Sequence, residues 1–315
     1  MPDMRESDLL KKIFASNQSL PGSITIEPGD DMGAVQIGDT QVLLTTDQLA
    51  DGVHFTLSGT PIEFIGRKAI TRNLSDVAAM AAKPVGAVAA ACLNKNFGQD
   101  RAEQLFNAMR NTALAYDCPL FGGDISMWDK PTVLTVTIVA QPAGIEPVLR
   151  SGARVGDVVY VSGQLGGSLE TIDGYCHHLQ FEPRINLARM LARQFNISAM
   201  IDLSDGLAVD LEHICQASEV RAQLDAQALP LSPAALQHAE KSNCPPWQCA
   251  LGDAEDYELC FTAGKENSIP SQIDGVDITS VGVIAASESD MPIICLNLPD
   301  GTNQDVTELG WEHHD

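Results

Sequence analysis

The chain has 315 residues, with 42 Asp and Glu against 19 Lys and Arg, and a formal charge of −23. Such acidity excludes a nucleic-acid-backbone binder, which needs basic patches to displace counterions, and a polybasic membrane-surface protein. It also repels phosphorylated substrates unless cations neutralise it locally, so any phosphate chemistry here calls for metal.

The N-terminus, Met1 to Phe14, is charged throughout and lacks the apolar core of a signal peptide. No apolar run approaches the roughly 18 residues of a membrane span. A cytoplasmic protein is expected, with its eight cysteines as reduced thiols, since no CxxC occurs and most sit in apolar stretches. Cys244 and Cys249 flank a Pro-Pro-Trp turn, for which a structural reading outweighs a metal or redox one.

In chain order, Val42 to Thr46 reads as a strand ending in Asp47. Thr60-Pro61-Ile62-Glu63 opens a helix, with Thr60 as cap, Pro61 in the first turn and Glu63 completing a capping box. That helix is expected to run to about Ala82, before Pro84. Val85 to Leu93 reads as a strand, and Asp100 to Tyr116 as a helix with Leu105, Met109 and Thr112 on one face. Thr132 to Ala140 is Val- and Thr-rich and reads as a strand. Turn signals from Pro142 to Pro147 place a domain boundary at about 141–150. Beyond it come a strand from Asp157 to Ser162, a glycine turn from Gly163 to Gly167, and helices near 168–177 and 184–195. Ala199 to Ile201 is a short strand running into Asp202-Leu-Ser-Asp205-Gly206. The next helix sets Leu207, Leu211, Ile214 and Cys215 on one face, and strands follow near 257–262, 278–284 and 292–297. The pattern is α/β or α+β in two domains of similar size.

Asp30-Asp31, Asp47, Asp124, Asp202 and Asp205 sit at strand ends or loop tips, and Asp76 lies in an otherwise apolar stretch of helix. Singly, each is more simply a turn or cap residue, and Asp76 could pair with Arg72 one turn away. As a set, they are the hard oxygen ligands that suit Mg²⁺ beside substrate phosphates. The common nucleotide-binding motifs are missing: no G-x-x-x-x-G-K-[ST], no G-x-G-x-x-G at Gly163 to Gly167, and no protein-kinase signature. His54 taken alone is a packed or hydrogen-bonded histidine. Trp311, near the end, could belong to a frayed tail or stack on a flat ring.

The motifs Gly29-Asp30-Asp31-Met-Gly-Ala-Val35, Thr45-Thr46-Asp47-Gln-Leu-Ala-Asp-Gly-Val-His54-Phe55 and Asn73-Leu-Ser-Asp76-Val-Ala-Ala-Met80 stand in that order. They are followed by Gly122-Gly123-Asp124, Arg150-Ser-Gly-Ala153, Ile201-Asp202-Leu-Ser204-Asp205-Gly206-Leu207 and Glu255-Asp256-Tyr257-Glu258-Leu259. In this combination the chain resembles the thiamine-monophosphate kinases, of the superfamily that includes aminoimidazole ribonucleotide synthetase, over nearly its whole length. The resemblance implies a two-domain aminoimidazole ribonucleotide synthetase-like fold. Residues 1–145 would bind ATP and Mg²⁺ and form a dimer-interface sheet; residues 146–315 would form an α/β domain completing the active site. It implies transfer of the γ-phosphoryl of ATP to thiamine monophosphate, the last step of thiamine diphosphate biosynthesis. Several Mg²⁺ ions would be held by Asp31, Thr45, Thr46, Asp47, Asp76, Asp124, Asp202 and Asp205. ATP would contact Gly123, Asp124, Arg150 and Ser204, and the thiamine phosphate His54, Glu255 and Trp311. No general base is expected, because a phosphate monoester acceptor is already largely dianionic near neutral pH.

Three positions depart from the family pattern. Gly252-Asp253-Ala254 stands where a glycine pair is usual, Ile125 where a Thr is frequent, and Arg72 is unusual before Asn73-Leu-Ser-Asp76. Selenophosphate synthetases and hydrogenase-maturation proteins of the same superfamily would be expected to show a reactive Cys near the N-terminus or at the C-terminus, whereas here the first is Cys92 and the end is His-His-Asp. The main alternative is a catalytically weak thiamine-phosphate or nucleotide binding protein, to which the altered 252–254 segment would point.

Overall fold

A computed structural model describes residues 20–307 and 309–311, with two short stretches at 9–10 and 12–14. Most of the N-terminal segment and the tail beyond Trp311 lie outside the described residues.

The first half builds a six-stranded sheet in the order β1-β2-β3-β6-β4-β5. Its strands are β1 (Ile24–Ile26), β2 (Gly33–Ile37), β3 (Thr40–Ala50), β4 (Lys83–Asn94), β5 (Leu120–Trp128) and β6 (Val133–Gln141). Helices α1 (Ile62–Ala79) and α2 (Gln99–Ala115) pack against each other. Their approach is close: a Cβ at Gly66 would lie 2.7 Å from Ala108 Cβ and 2.8 Å from Leu105 O. Alternation along β3 and β6 buries one face, with Leu43, Thr45, Leu49, Leu134, Val136 and Ile138 inward.

The second half forms an eight-stranded sheet from β7 (Val158–Ser162), β10 (Ile197–Asp202), β11 (Val220–Asp225), β12 (Leu259–Ala263), β13 (Gln272–Ile273), β14 (Val276–Ala286), β15 (Ile294–Asn297) and β16 (Asn303–Asp305). A small hairpin, β8 (Thr171–Ile172) and β9 (Tyr175–Cys176), leads into the one-turn helix α3 (His177–Gln180). Then come α4 (Ile185–Gln194), α5 (Leu207–Ser218), α6 (Pro233–Ser242) and α7 (Pro246–Gly252). The two halves share a core. Ile185, Leu187, Ala188 and Leu191 of α4 and Phe261 of β12 join the cluster built on α1 and the first sheet.

Several local expectations need correction. The first helix is capped by Pro61 with no side-chain cap bond, so the Thr60–Glu63 box does not form, and the helix ends at Ala79 rather than Ala82. The helix expected at 168–177 is a hairpin plus one turn, because Asp173-Gly174 takes positive φ and turns the chain after two strand residues. Thr112 on α2 is only half-buried, and Ala113 takes the inward position. All eight cysteines are free thiols, including Cys244 and Cys249.

Candidate functional site

Helix α1 organises the site. Lys68, Arg72 and Asp76 recur at four-residue spacing and therefore lie along one stripe, each about 6 Å further along the axis. At one end, carboxylate oxygens of Asp31, Asp76 and Asp202 lie within 4.8 Å of one another. They come from three places: Asp31 from the turn before β2, Asp76 from α1, and Asp202 from the end of β10. Thr45 on β3 donates a short hydrogen bond to Asp76 Oδ2.

Three carboxylates so close, Asp31 and Asp202 buried and Asp76 half-buried, repel one another, and the repulsion appears as proton affinity. Burial, then Asp47, Asp202 and Asp31, hold the Asp76 carboxyl well above its usual range. Asp202 is pushed to about 7, by burial first and then by Asp31. Asp30, beside them, is pushed to about 6 by burial and then by Asp31. Asp31 Oδ2 is buried and has no hydrogen-bond partner among the described residues. An orphaned oxygen in a cluster of hard ligands fits a divalent cation of the Mg²⁺ type.

The raised groups dictate a pH dependence. Between the ordinary 3.8 and the folded values of about 6 and 7, the folded chain holds protons that the unfolded chain has released. Stability of the metal-free protein should therefore fall as pH rises from about 4 to about 7. Mg²⁺ should restore it, with a larger rise in melting temperature at pH 7.5 than at 5.5. Equal Mg²⁺ shifts at both pH values would count against a site at this cluster.

The loop 202–206 is held from two sides. Leu203 N donates to Glu258 O at 2.8 Å, Tyr257 N to Leu203 O at 2.7 Å and Glu255 N to Ser204 O at 2.8 Å. The buried Asp210 carboxylate on α5 accepts from Asp205 N at 3.0 Å and Gly206 N at 3.1 Å, satisfying donors at the helix start. Asp210 was not singled out in the sequence, although its place in the first turn after a D-x-x-D-G run is the signal that could have found it.

The other end of the α1 stripe meets a cavity of about 510 Å³. His54, Ser204, Asp205, Glu255 and Trp311, which come from four separate segments, all line it, as do Arg72 and Tyr257. Behind its wall Lys68 is fully buried. Its Nζ reaches Glu255 Oε2 at 2.7 Å, His178 Nδ1 at 2.7 Å and His54 O at 2.9 Å. Lys68 and His178 hold the Glu255 carboxyl down at about 2 against the effect of burial, while burial lowers Lys68 itself to about 8. Neither Lys68 nor His178 was anticipated, since their partner is 187 residues from Lys68 in sequence. Glu255 and Tyr257 sit at φ of 67° and 50°, a strained backbone that turns both side chains toward the site.

Asp253, one of the departures, has a structural task. Its Oδ2 accepts from Gly167 N at 2.7 Å, and the buried Asp256 carboxylate accepts from Gly166 N at 3.0 Å. The two acids pin the glycine turn that forms part of the cavity wall.

The remaining expected residues fall into place unevenly. Arg150 is committed to Asp31, by Nη2 at 2.6 Å and Nε at 3.2 Å, and its backbone N–H reaches Asp30. Asp47 lies on the inner side of β3, 3.9 Å from Arg72 Nη2. Thr46, one residue earlier, points to the opposite face, where its hydroxyl meets that of Thr137 at 2.5 Å. The structure therefore does not bring the Thr46 side chain to the carboxylate cluster. Gly123 and Asp124 lie exposed on edge strand β5. Asp124 is level with Gln48 of β3 but three strands away, about 14 Å. Gly123 is needed where it stands, because a Cβ there would come within 1.9 Å of Ala89 O.

Comparison with known proteins gives the family and the fold. The family model described as AIR synthase related protein, N-terminal domain, matches residues 29–141. The thiamine-monophosphate kinase of Rhodopirellula baltica is 36% identical over 289 residues, covering 89% of each chain. That of Aquifex aeolicus is 32% identical, covering 97% of this chain and 96% of its own. The solved structure of AaThiL complexed with AMPPCP and TMP superposes with a TM-score of 0.82 at 31% identity, covering 98% of this chain and 97% of that one.

Proposed function

The chain belongs to the thiamine-monophosphate kinase family, and we propose that it transfers the γ-phosphoryl of ATP to thiamine monophosphate by direct in-line displacement. An oxygen of the acceptor phosphate forms a bond to the γ-phosphorus while the bond from that phosphorus to the β–γ bridging oxygen breaks. The products are thiamine diphosphate and ADP. The observation that carries this reading is the continuity of α1. One helix takes Lys68 to the wall of the cavity, Arg72 into it and Asp76 into the carboxylate cluster.

His54, Glu255 and Trp311 would bind and orient the acceptor, with Lys68 fixing the first two. Asp31, Asp76 and Asp202 would hold Mg²⁺, with Thr45, Asp47 and Asp205 beside them; Thr46 and Asp124 lie away from this cluster and are not assigned to it. When bound, Mg²⁺ supplies the charge neutralisation that two approaching polyanions need. Gly123, Asp124, Arg150 and Ser204 would contact the nucleotide. No side chain is assigned as general base, because the acceptor oxygen carries its charge already. Catalysis then rests on positioning and electrostatics.

A coupled ADP-release assay across thiamine, thiamine monophosphate and aminoimidazole-pathway substrates tests the reading. Turnover is expected with thiamine monophosphate and Mg²⁺ only. Tight binding without ADP release would favour a binding protein, and activity on free thiamine would overturn the mechanism.

A homodimer built through the first sheet belongs to the same proposal. Every residue of β5 after Leu120 is exposed, among them Phe121, Ile125 and Met127, and Leu44 is exposed on β3 of the same sheet. An apolar, uncovered edge strand of nine residues is a liability in a monomer and an interface in a dimer. Light scattering should return twice the 33.7 kDa of one chain, and Ile125→Asp should lower it toward one. A wild-type monomer at micromolar concentration would refute the interface. Eight free thiols are in keeping with a cytoplasmic setting, and no helix among the described residues is long and apolar enough to cross a membrane.

A further inference from the structure

The acceptor is a phosphate monoester, yet four carboxylates line the cavity that would receive it: Glu170, Asp205, Asp253 and Glu255. Glu255 pairs with Lys68, Asp253 accepts from Gly167 N, and Glu170 is bonded to His238 and Lys241. Among the residues lining the cavity, Arg72 is the one Lys or Arg. It stands one helical turn from Lys68 and one turn from Asp76, between the wall that would hold the organic part of the acceptor and the carboxylates that would hold metal.

Its donors are not saturated. Nη1 gives a long bond of 3.3 Å to Gln48 O, Nη2 approaches Asp47 only to 3.9 Å, and Nε has no hydrogen-bond partner among the described residues. The side chain is only 15% exposed, so water does not easily make up the deficit. A guanidinium carries five N–H donors in a planar fork that matches phosphate oxygens in pairs. Leaving such donors unmet in a buried setting is costly unless a ligand completes them.

We propose that Arg72 is a specificity-determining residue of this chain, binding the phosphate of the acceptor and so selecting thiamine monophosphate over free thiamine. The inference rests on the reaction proposed above and adds a fixed cation to it. It also gives a purpose to a residue that is unusual at this position in the family pattern.

The test uses the full chain and the variants Arg72→Met and Arg72→Lys. Steady-state kinetics are run with each substrate varied separately, and binding of thiamine monophosphate and of thiamine is compared by calorimetry. Loss of a charge-assisted pair of hydrogen bonds should raise the KM for thiamine monophosphate roughly 10- to 100-fold in Arg72→Met. The KM for ATP should stay within about twofold and thiamine binding should not change, since neither depends on the acceptor phosphate. Arg72→Lys should recover part of the loss, because it keeps the charge without the fork.

Equal weakening of thiamine and thiamine monophosphate would make Arg72 a wall residue and overturn the proposal. So would a matching rise in the KM for ATP. A lower Mg²⁺ requirement with unchanged KM for thiamine monophosphate would overturn it too, marking Arg72 as a counter-charge to Asp47. Should Arg72→Met fail to fold, Arg72→Lys decides alone: a several-fold rise in that KM supports the proposal and an unchanged value overturns it. A wild-type protein that turns over no thiamine monophosphate defeats the reaction reading and this inference together. Wild-type turnover with any of the overturning patterns defeats Arg72's role only.

Discussion

Asp76→Asn is expected to lower Mg²⁺-dependent turnover by roughly 10³-fold, the scale set by removing a preorganised electrostatic group from a water-poor site. Asp76 is the member of the cluster that belongs to α1, and its oxygen lies within 4.8 Å of ligand oxygens of both Asp31 and Asp202. An amide keeps the shape and one acceptor oxygen but loses the charge that would hold a divalent cation. The same change should have the opposite effect on the metal-free fold. Burial and three neighbouring carboxylates hold the Asp76 carboxyl well above its usual range, so an ionised Asp76 strains the apoprotein. The variant should melt higher than wild type without metal, near pH 7.5, and gain less from added Mg²⁺. Undiminished turnover in a folded Asp76→Asn protein would remove this cluster from the mechanism.

Lys68→Met should cost about 3–5 kcal/mol of stability, the usual penalty for stripping one partner from a buried ion pair. Lys68 is wholly buried and Glu255 is 14% exposed, so the carboxylate left behind has little water to turn to. Against a typical total of 5–15 kcal/mol, that is a large fraction. Adding Glu255→Gln to Lys68→Met should return part of the loss, because the stranded charge is gone. Urea unfolding of the two single variants and the double variant measures the coupling. Additive losses, or a single-variant cost below about 1 kcal/mol, would mean that the pair is not what holds this wall. Where Lys68→Met still folds, it should raise the KM for thiamine monophosphate, since the His54 carbonyl loses its anchor at the same time.

Much of this molecule can be read along the chain. The strands at Val42–Thr46, Val85–Leu93 and Thr132–Ala140 and the helices at 100–116 and 184–195 lie within the observed elements or within a residue or two of them. Period and β-branching are local properties. Elements that bury few residues of their own were missed, among them β1, the β8–β9 hairpin and the short helix α7. Their identity comes from the turns and contacts around them more than from any periodicity. Strand β11 was missed as well. Its Val220–Asp225 run follows α5 with only the left-handed Glu219 between them, so no turn cluster separates the strand from the helix.

The site divides along the same line. Asp31, Asp76 and Asp202 could be picked out because a carboxylate among small and apolar residues stands out in one dimension. That Thr45 and Asp47 face inward while Thr46 faces outward follows from strand alternation, but which face is inward depended on α1 covering it. The pairing of Lys68 with Glu255, the clasp of Asp253 on Gly167 and the placing of Arg72 in an acidic cavity join residues far apart in sequence. By itself the sequence determined the family, the long strands and helices of the core and the inventory of acids. The tertiary structure decided which of those acids meet one another, which are neutralised by a neighbour and which lysine and arginine stand among them. Charge interactions depend on distance and burial, and neither exists until the helices and sheets have packed.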